Sequence, residues 1–295
     1  MPDPVLATAD LTKHFGSVRA LDGLTLEVER GEILGFLGPN GAGKTTTIRL
    51  LMDFIRPTSG RALVLGVEPA DSAVRGRVGH LPAELHIDPR YTARDVVDFF
   101  GQLRGGVDQI LAAQLMDRFE LDPSRPLGEL STGNKRKIGI VQAFMHRPVL
   151  LLLDEPTSGL DPLLQHEFSK LLREAVDAGA TAFLSSHVLP EVELLAERVA
   201  IMRQGRLVAL DHIDALRRRA RQRLDLHLAA PADPSSFARL PGVVEASAVD
   251  TTIRLVIEGS VDAVIKAAAA EQVLRVATHD ADLEDVFLAY YREDS

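Results

Sequence analysis

Several features that would point to particular classes of protein are scarce or missing in this sequence. The 295 residues include no cysteine, which excludes disulfide frameworks, thiolate metal sites and cysteine nucleophiles. Basic residues are outnumbered 33 to 42, and a net charge of −9 disfavours unaided binding to nucleic acid or to an anionic membrane surface. No apolar run approaches the ~20 residues that cross a bilayer, since the longest, Val149–Leu153, has the length of one strand. The first four residues lack the basic and apolar regions of a signal peptide, so we expect a soluble intracellular protein.

The order of predicted strands and helices indicates an α/β fold with a mostly parallel sheet. An apolar strand at Ile33–Leu37 precedes a glycine-rich turn and a helix at Thr45–Phe54. Further apolar strands follow at Val149–Leu153 and Thr181–Ser185, with a helical pattern between them. Strands that alternate with crossover helices form sheets covered on both faces. Residues 84–147 carry three consecutive helical patterns, so we expect a helical insertion in this α/β core.

The chain is predicted to contain two domains. Alternating apolar and polar positions in the first thirty residues predict two strands ahead of the α/β core. An arginine-rich run from Arg217 to Arg223 is predicted to be a solvated helix face or a linker. We therefore expect one domain over residues 1–216 and a small α+β domain over residues 224–295, which closes with an amphipathic helix from Asp282.

A glycine-rich segment after the first core strand predicts a phosphate-binding site. It fits the pattern GxxxxGK[ST] and has the required strand before it and helix after it. Its glycines let the backbone approach an anion, while successive N–H groups and the helix N-terminus supply positive potential. Lys44 is expected to reach the β- and γ-phosphates, and the Thr45 hydroxyl to bind Mg²⁺. The segment consists of Gly38, Pro39, Asn40, Gly41, Ala42, Gly43, Lys44 and Thr45.

Two adjacent carboxylates follow a second apolar strand much farther along the chain. Asp154 and Glu155 come directly after Leu150–Leu153, at the carboxyl edge of the sheet where ligands of open α/β folds bind. Paired with the phosphate loop, Asp154 is predicted to hold Mg²⁺ and Glu155 to orient or deprotonate the attacking water. Five histidines lack the spacing of metal ligands and are predicted to be structural or solvent-exposed: His80, His86, His146, His212 and His279.

Further motifs occur in a fixed order around these two segments. They are the aromatic Phe15, the segment Leu130-Ser131-Thr132-Gly133-Asn134, the segment Ser158-Gly159-Leu160-Asp161, and His187 after the strand at Thr181–Ser185. In this order the motifs resemble those of the ATP-binding cassette (ABC) ATPases, the nucleotide-binding subunits of ABC transporters, over residues 5 to about 215. The resemblance implies a phosphate-loop NTPase fold with a RecA-like core sheet, an antiparallel β subdomain and a helical subdomain.

The same resemblance implies a role for each motif, with ATP and Mg²⁺ as the ligands. Phe15 would stack on adenine, Thr46 would join the phosphate loop, and His187 would sense the γ-phosphate beside the base Glu155. The signature residues Ser131, Thr132, Gly133 and Asn134 would contact the ATP of a partner cassette, and Asp161 would belong to the D-loop.

One phosphate loop in the chain implies a functional unit with a second cassette, from this chain or a homologue, arranged head to tail. The resemblance further implies a separately encoded polytopic permease, which would dock mostly on residues 84–121. The chain would then be a cytoplasmic protein bound peripherally to the inner face of the membrane. The ending Asp282–Ala289 resembles subunits of drug and antibiotic exporters, so we expect an exporter. The substrate is not predicted, because the translocation path lies in the partner.

Two departures from the family pattern leave alternatives open. The signature contains Thr132 and Asn134 in place of glycine and glutamine, and Ala83 stands where a glutamine normally touches the metal and the membrane partner. Glu84 could replace that glutamine only if its loop shifts. The alternatives are a soluble ABC ATPase that acts on ribosomes or DNA, and a regulatory cassette that binds ATP without hydrolysing it.

Overall fold

The computed structural model describes residues 3–219, 221–279 and 287. The chain separates into two compact units, Met1–Leu210 and Asp211–Ser295. The strands of the first unit are β1 (Leu6–Phe15), β2 (Val18–Val28), β3 (Ile33–Leu37), β4 (Ser59–Val64), β5 (Val78–Leu81), β6 (Leu150–Asp154), β7 (Thr181–Ser186), β8 (Arg198–Arg203) and β9 (Arg206–His212). Its helices are α1 (Lys44–Leu51), α2 (Ser72–Arg75), α3 (Ala93–Leu103), α4 (Gln109–Arg118), α5 (Thr132–Phe144), α6 (Pro162–Asp177) and α7 (Leu189–Leu195). Within this described part of the chain, no helix combines the length and apolarity needed to cross a bilayer.

Two sheets form the first unit. A six-stranded sheet has the order β5-β6-β7-β3-β8-β9, and every pair from β5 to β8 is parallel. Every residue of β3, β6 and β7 is buried, which explains why β3 and most of β6 are continuous apolar runs and do not alternate with polar residues. A smaller antiparallel sheet has the order β2-β1-β4. The parallel core and the antiparallel subdomain predicted from the sequence are therefore both present.

Two hydrophobic cores lie on opposite faces of the six-stranded sheet. Successive side chains of a strand point to opposite faces. Leu151 and Leu153 of β6 accordingly pack with residues of α3, α4, α5 and α6. Leu150 and Leu152 of the same strand pack with residues of β1, β2 and α1. The strand that carries Asp154 at its end is thus fixed from both sides.

Side-chain caps define where the helices near the predicted site begin. Thr92 and Asp95 form a reciprocal capping box at the start of α3, and Asp108 accepts two backbone N–H groups at the start of α4. Helix α1 ends earlier than the predicted Phe54, because Asp53 adopts a left-handed φ of 57° just past the end of the helix.

In its described residues, the second unit forms a four-stranded antiparallel sheet with short helices. Its elements are α8 (Ile213–Arg219), β10 (Arg221–Leu228), α9 (Ser235–Ala238), β11 (Val243–Val249), β12 (Thr252–Glu258), α10 (Asp262–Ala268) and β13 (Val273–His279). The sheet order is β11-β12-β10-β13. Leucine and isoleucine side chains from one face of β10 and β12 pack against Phe237 of α9 and Val264 of α10. The α+β composition agrees with the expectation.

The arginine-rich run is divided between two elements. Residues 217–219 end helix α8, in agreement with the expected helix, whereas the strand predicted to begin at Leu224 begins at Arg221, because residues 221–223 pair with β12. The Nε of Arg221 lies 2.9 Å from an oxygen of Glu258, its cross-strand partner. The helix predicted from Asp282 and the family-like ending Asp282–Ala289 lie outside the described residues, apart from Phe287, which is helical and buried.

Candidate active site

The phosphate loop joins the buried strand β3 to the first turn of α1. Gly43 has a φ of 101°, and a Cβ there would lie 2.5 Å from the carbonyl oxygen of Ala20. At Gly38 a Cβ would lie 2.6 Å from the carbonyl oxygen of Met202. Larger residues are excluded at both positions by backbone atoms, which cannot move aside cheaply. The loop is therefore closely packed against neighbouring backbone, with the N-terminus of α1 at its end.

Lys44 is a buried cation whose partners all belong to the predicted site. Its side chain is 6 % exposed, and its Nζ donates to the carbonyl oxygens of Gly38 at 2.6 Å and Pro39 at 3.3 Å. The same nitrogen lies 3.3 Å from Oε1 of Glu155. A buried ammonium requires such partners, since an unpaired one would carry a large desolvation penalty. The two halves of the site predicted from distant segments are thus in direct contact.

The turn after β6 holds the two carboxylates in different surroundings. Asp154 is 1 % exposed, and its Oδ1 accepts a hydrogen bond of 2.5 Å from the Ser185 hydroxyl on the neighbouring strand β7. The backbone of Glu155 has a left-handed φ of 49°, and its N–H donates to the Ser185 carbonyl at 3.1 Å. A positive φ at a non-glycine residue is strained, and such strain concentrates at functional turns.

His187 follows β7 and contacts the second carboxylate oxygen of Glu155. Its Nδ1 lies 2.8 Å from Oε2 of Glu155, and its backbone N–H donates to the same oxygen at 3.4 Å. Because a carboxylate only accepts, Nδ1 must carry the proton and Nε2 is left for another partner. Glu155 is thereby held between Lys44 on one oxygen and His187 on the other.

A cavity of about 320 Å³ lies between the start of α1 and the end of β6. Thr45 and Asp154 both line it, and hydroxyl and carboxylate oxygens are the donors that Mg²⁺ prefers. The predicted metal-binding residues therefore fit that ion. Ala83 and Glu84 line the same cavity, but the carboxylate of Glu84 is exposed and lies 3.4 Å from the ring of His86.

The signature segment lies against the D-loop. Ser131 is the N-cap of α5 and accepts a hydrogen bond from the N–H of Asn134 at 3.3 Å. A Cβ on Gly133 would lie 2.7 Å from the carbonyl oxygen of Gly159, which explains the glycine. Asp161 caps α6 by accepting from two backbone N–H groups. Among the described residues, no hydrogen bond or ion pair joins the signature residues Ser131, Thr132, Gly133 and Asn134 to the phosphate loop.

Phe15 also lies apart from the carboxylates and the phosphate loop in the contacts that the structure records. It ends β1 and is 49 % exposed, and the Nζ of Lys13 lies 5.1 Å from its ring centre. Thr46, by contrast, directly follows Thr45 in the first turn of α1. The structure therefore brings together the loop, Asp154, Glu155 and His187, and leaves Phe15 as an exposed aromatic side chain.

Two further residues of this region were not predicted to be part of the site. Arg136 of α5 donates to backbone carbonyls on both sides of the site, including that of Asp154 at 2.5 Å. His80 lines the cavity with Thr45 and Asp154, and burial lowers its pKa to about 4, so its ring is neutral at pH 7. Neither residue is part of a short sequence motif, so only its position in the fold identifies it as part of the site.

Comparison with known proteins decides the family. The family described as "ABC transporter" matches residues 21–158. The bacitracin transport ATP-binding protein BcrA of Bacillus licheniformis is 36 % identical over 232 residues, which cover 76 % of this chain and 75 % of that protein. The chain belongs to the ABC transporter ATP-binding proteins.

Other ABC relatives agree with this family. The daunorubicin resistance ATP-binding protein DrrA2 of Streptomyces coeruleorubidus is 37 % identical over 214 residues, 70 % of this chain and 66 % of that protein. A solved structure of the ATP-binding subunit of an ABC transporter matches with a TM-score of 0.67 at 29 % identity, covering 72 % of this chain and 92 % of that one. The predicted family and fold are confirmed. As a member of this ABC family, the chain binds nucleotide and hydrolyses ATP.

Proposed function

We propose that this chain is the ATPase subunit of an ABC exporter whose membrane-spanning subunit is a separate polypeptide. The observation that carries the proposal is the chain of contacts Lys44–Glu155–His187, which joins the phosphate loop to a base and a histidine. The matched relatives BcrA and DrrA2 are named for bacitracin transport and daunorubicin resistance, which supports an exporter of a drug-like or antibiotic molecule.

The contacts suggest how Glu155 acts as general base. The ammonium of Lys44 pairs with one carboxylate oxygen of Glu155. A bound phosphate would attract this ammonium away from Glu155, and the carboxylate could then accept a hydrogen bond from water. The freed carboxylate accepts a proton from the attacking water, while the N–H at Nδ1 of His187 holds its other oxygen. Nε2 of His187 would donate a hydrogen bond to the γ-phosphate when the ring carries a proton on both nitrogens. Glu155 and His187 are therefore assigned as the catalytic residues, and Phe15 as the platform for adenine.

Thr45 and Asp154 are the residues that would hold Mg²⁺. When bound, the ion neutralises developing charge on the phosphate oxygens. The hydrogen bond from Ser185 fixes the orientation of the Asp154 carboxylate. This arrangement resembles an outer-shell partner that fixes a metal ligand.

The position of the signature supports a dimer of two cassettes. The N-terminus of α5, at Ser131, Thr132 and Gly133, presents backbone N–H groups and positive potential that suit an anion. These groups are not bonded to the phosphate loop of their own chain, so they are available to the nucleotide of a second cassette arranged head to tail. A homodimer and a heterodimer both satisfy this requirement.

The helical segment offers a surface for the membrane subunit. A cavity of about 370 Å³ beside α3 is lined by Tyr91, Phe99 and Phe100, and Tyr91 and Phe99 are each more than half exposed. Exposed aromatic side chains around a concavity are typical of docking sites. Asp88 and Asp95 line the same cavity, but Asp88 is paired with Arg90 and Asp95 caps α3, so an apolar partner segment would match it best. The cassette would then lie at the cytoplasmic face of the membrane, and its net charge of −9 argues against nucleic acid as the partner.

Capture of the ATP-bound complex tests this proposal. Tagged Glu155→Gln should bind ATP and dimerise but stall before hydrolysis, and it should co-purify with one polytopic membrane protein when membranes are solubilised with MgATP. A matched control carries Lys44→Ala in addition, and it should lose ATP-dependent dimerisation. Recovery of ribosomes, or of soluble partners alone, would contradict the exporter and favour a soluble ABC ATPase. Hydrolysis at the wild-type rate by Glu155→Gln would refute the assignment of the base.

A further inference from the structure

Arg136 binds two loops of the active site through their backbones. Its side chain projects from α5 and is buried, and each hydrogen bond that it donates in the described structure reaches a carbonyl oxygen. The acceptors are Pro82 (2.6 Å) and Ala83 (2.7 Å) in the loop after β5, and Asp154 (2.5 Å), Glu155 and Pro156 (3.2 Å) in the turn after β6. A planar guanidinium with five N–H groups is the one side chain that can serve so many acceptors at once.

This arrangement holds the catalytic turn in a strained conformation. Glu155 has a left-handed φ of 49°, and the guanidinium binds its carbonyl together with those of its two neighbours. Burial lowers the pKa of Arg136 to about 10, while the charges of Asp154 and Glu155 oppose that shift, so the side chain remains cationic at neutral pH. The energetic cost of burying this cation is offset by its carbonyl contacts.

The helix that carries Arg136 also carries the signature at its exposed end. Ser131 caps α5, and Arg136 follows five residues later, which is roughly 7 Å along the axis of a helix. Gly133 lies against the D-loop carbonyl of Gly159, and residues 132–136 belong to one hydrogen-bonded helix, which moves as a unit. A displacement of the signature is therefore transmitted to the guanidinium, and from there to the carbonyls around Glu155.

We propose that Arg136 is a positioning residue that couples the two nucleotide sites of the cassette dimer. This inference rests on the head-to-tail dimer proposed above. In that dimer, ATP bound by the partner contacts the signature of this chain, and Arg136 links that signature to the base Glu155 of this chain's own site. Binding at one site thus adjusts the catalytic turn of the other. Arg136 itself touches neither nucleotide.

A double-mutant cycle between Ser131 and Arg136 tests the coupling. Arg136→Lys keeps the charge but cannot serve five carbonyls, so we expect kcat to fall at least tenfold with KM for ATP changed less than threefold. If the signature acts on the base through Arg136, the loss from Ser131→Ala and Arg136→Lys together should be at least fivefold smaller than the product of the two single losses. The matched control is Arg118→Lys, which alters another partly buried arginine that joins α4 to α6 through Glu167 and Glu174.

The control cycle and two further measurements separate coupling from loss of structure. Ser131→Ala and Arg118→Lys should combine multiplicatively, because Arg118 does not contact either loop. In the stalled Glu155→Gln background, Arg136→Lys should still dimerise with MgATP, at an ATP concentration within threefold of the parent. Arg136→Gln, checked by thermal unfolding, should repeat the loss of kcat if the lysine variant does not fold.

The possible results distinguish this inference from the proposed function. Multiplicative losses in the Ser131–Arg136 cycle, wild-type hydrolysis by Arg136→Lys, or failure of both Arg136 variants to fold would each overturn the coupling role. They would leave the exporter ATPase untouched. Failure of Glu155→Gln itself to dimerise with MgATP would instead overturn the proposed dimer, and the coupling with it.

Discussion

His146 should make the stability of this protein depend on pH between 7 and 5. The residue follows α5, and its Nε2 lies 3.2 Å from the carbonyl oxygen of Val78, to which it donates. Its Nδ1 is buried without a hydrogen-bond partner. Burial, and secondarily the charge of Arg104, lowers the pKa of His146 to about 4 from an ordinary value of 6.5. The folded protein therefore holds a neutral ring over the whole range.

The sign of the effect follows from which state binds the proton. Between pH 6.5 and 4 the unfolded chain protonates this histidine and the folded chain does not, so stability falls as the pH is lowered. From pH 7 to pH 5 these pKa values give a loss of at most about 2 kcal/mol, and partial exposure of the ring reduces it to roughly 1–2 kcal/mol.

Urea unfolding followed by circular dichroism at pH 7 and pH 5 measures this loss. His146→Gln removes the titrating group, so its free energy of unfolding should fall by about 1–2 kcal/mol less than that of the wild type over this interval. The same substitution at His166, whose side chain is exposed, should leave the pH dependence of the wild type unchanged. Equal pH dependence in the wild type and His146→Gln would refute the reasoning.

Three further outcomes follow from the site geometry. Gly43→Ala should destabilise the fold by about 2–3 kcal/mol in thermal or urea unfolding. The reason is that its Cβ would lie 2.5 Å from the Ala20 carbonyl oxygen, at a backbone φ of 101°. An unchanged free energy of unfolding would contradict the close packing of this loop. Ser185→Ala removes the 2.5 Å hydrogen bond to Asp154, so the affinity for Mn²⁺ in the presence of ATP should weaken about tenfold. Electron paramagnetic resonance measures this affinity. An unaltered affinity would show that Ser185 does not support metal binding. Glu155→Gln should lower kcat for ATP by at least about a hundredfold while nucleotide affinity, measured with a fluorescent analogue, stays within a few-fold; parallel losses of both would point to misfolding.

The local chemistry of the site was predictable because its motifs are short. Eight consecutive residues supply the glycines, the ammonium and the hydroxyl of the phosphate loop, and two adjacent carboxylates end a strand of leucines. The parallel sheet brings both segments to one edge, so the contact between Lys44 and Glu155 follows from topology. The fold was equally accessible, since β3 and β6 are buried along their whole length and are almost entirely apolar.

The contacts that join distant segments were not predictable. Arg136 lies 54 residues from Pro82 and 18 from Asp154, and a basic residue in a helix that begins at a solvent-exposed motif usually indicates a surface position. His80 was predicted to be structural or solvent-exposed, and its place beside the cavity was not predictable, because β5 is only four residues long and has no distinctive periodicity. Such roles depend on which loops pack together, and no local pattern records that.

Because the side chains of β6 point alternately into two cores, adjacent residues of this strand support different sides of the sheet. Loss of volume at Leu151 would loosen the side of the sheet covered by α3, α4, α5 and α6, where the membrane subunit is proposed to dock. The same loss at Leu152 would loosen the side covered by α1, beneath the phosphate loop. In random mutagenesis of this strand, substitutions at odd-numbered positions should therefore weaken assembly, and substitutions at even-numbered positions should weaken ATP binding.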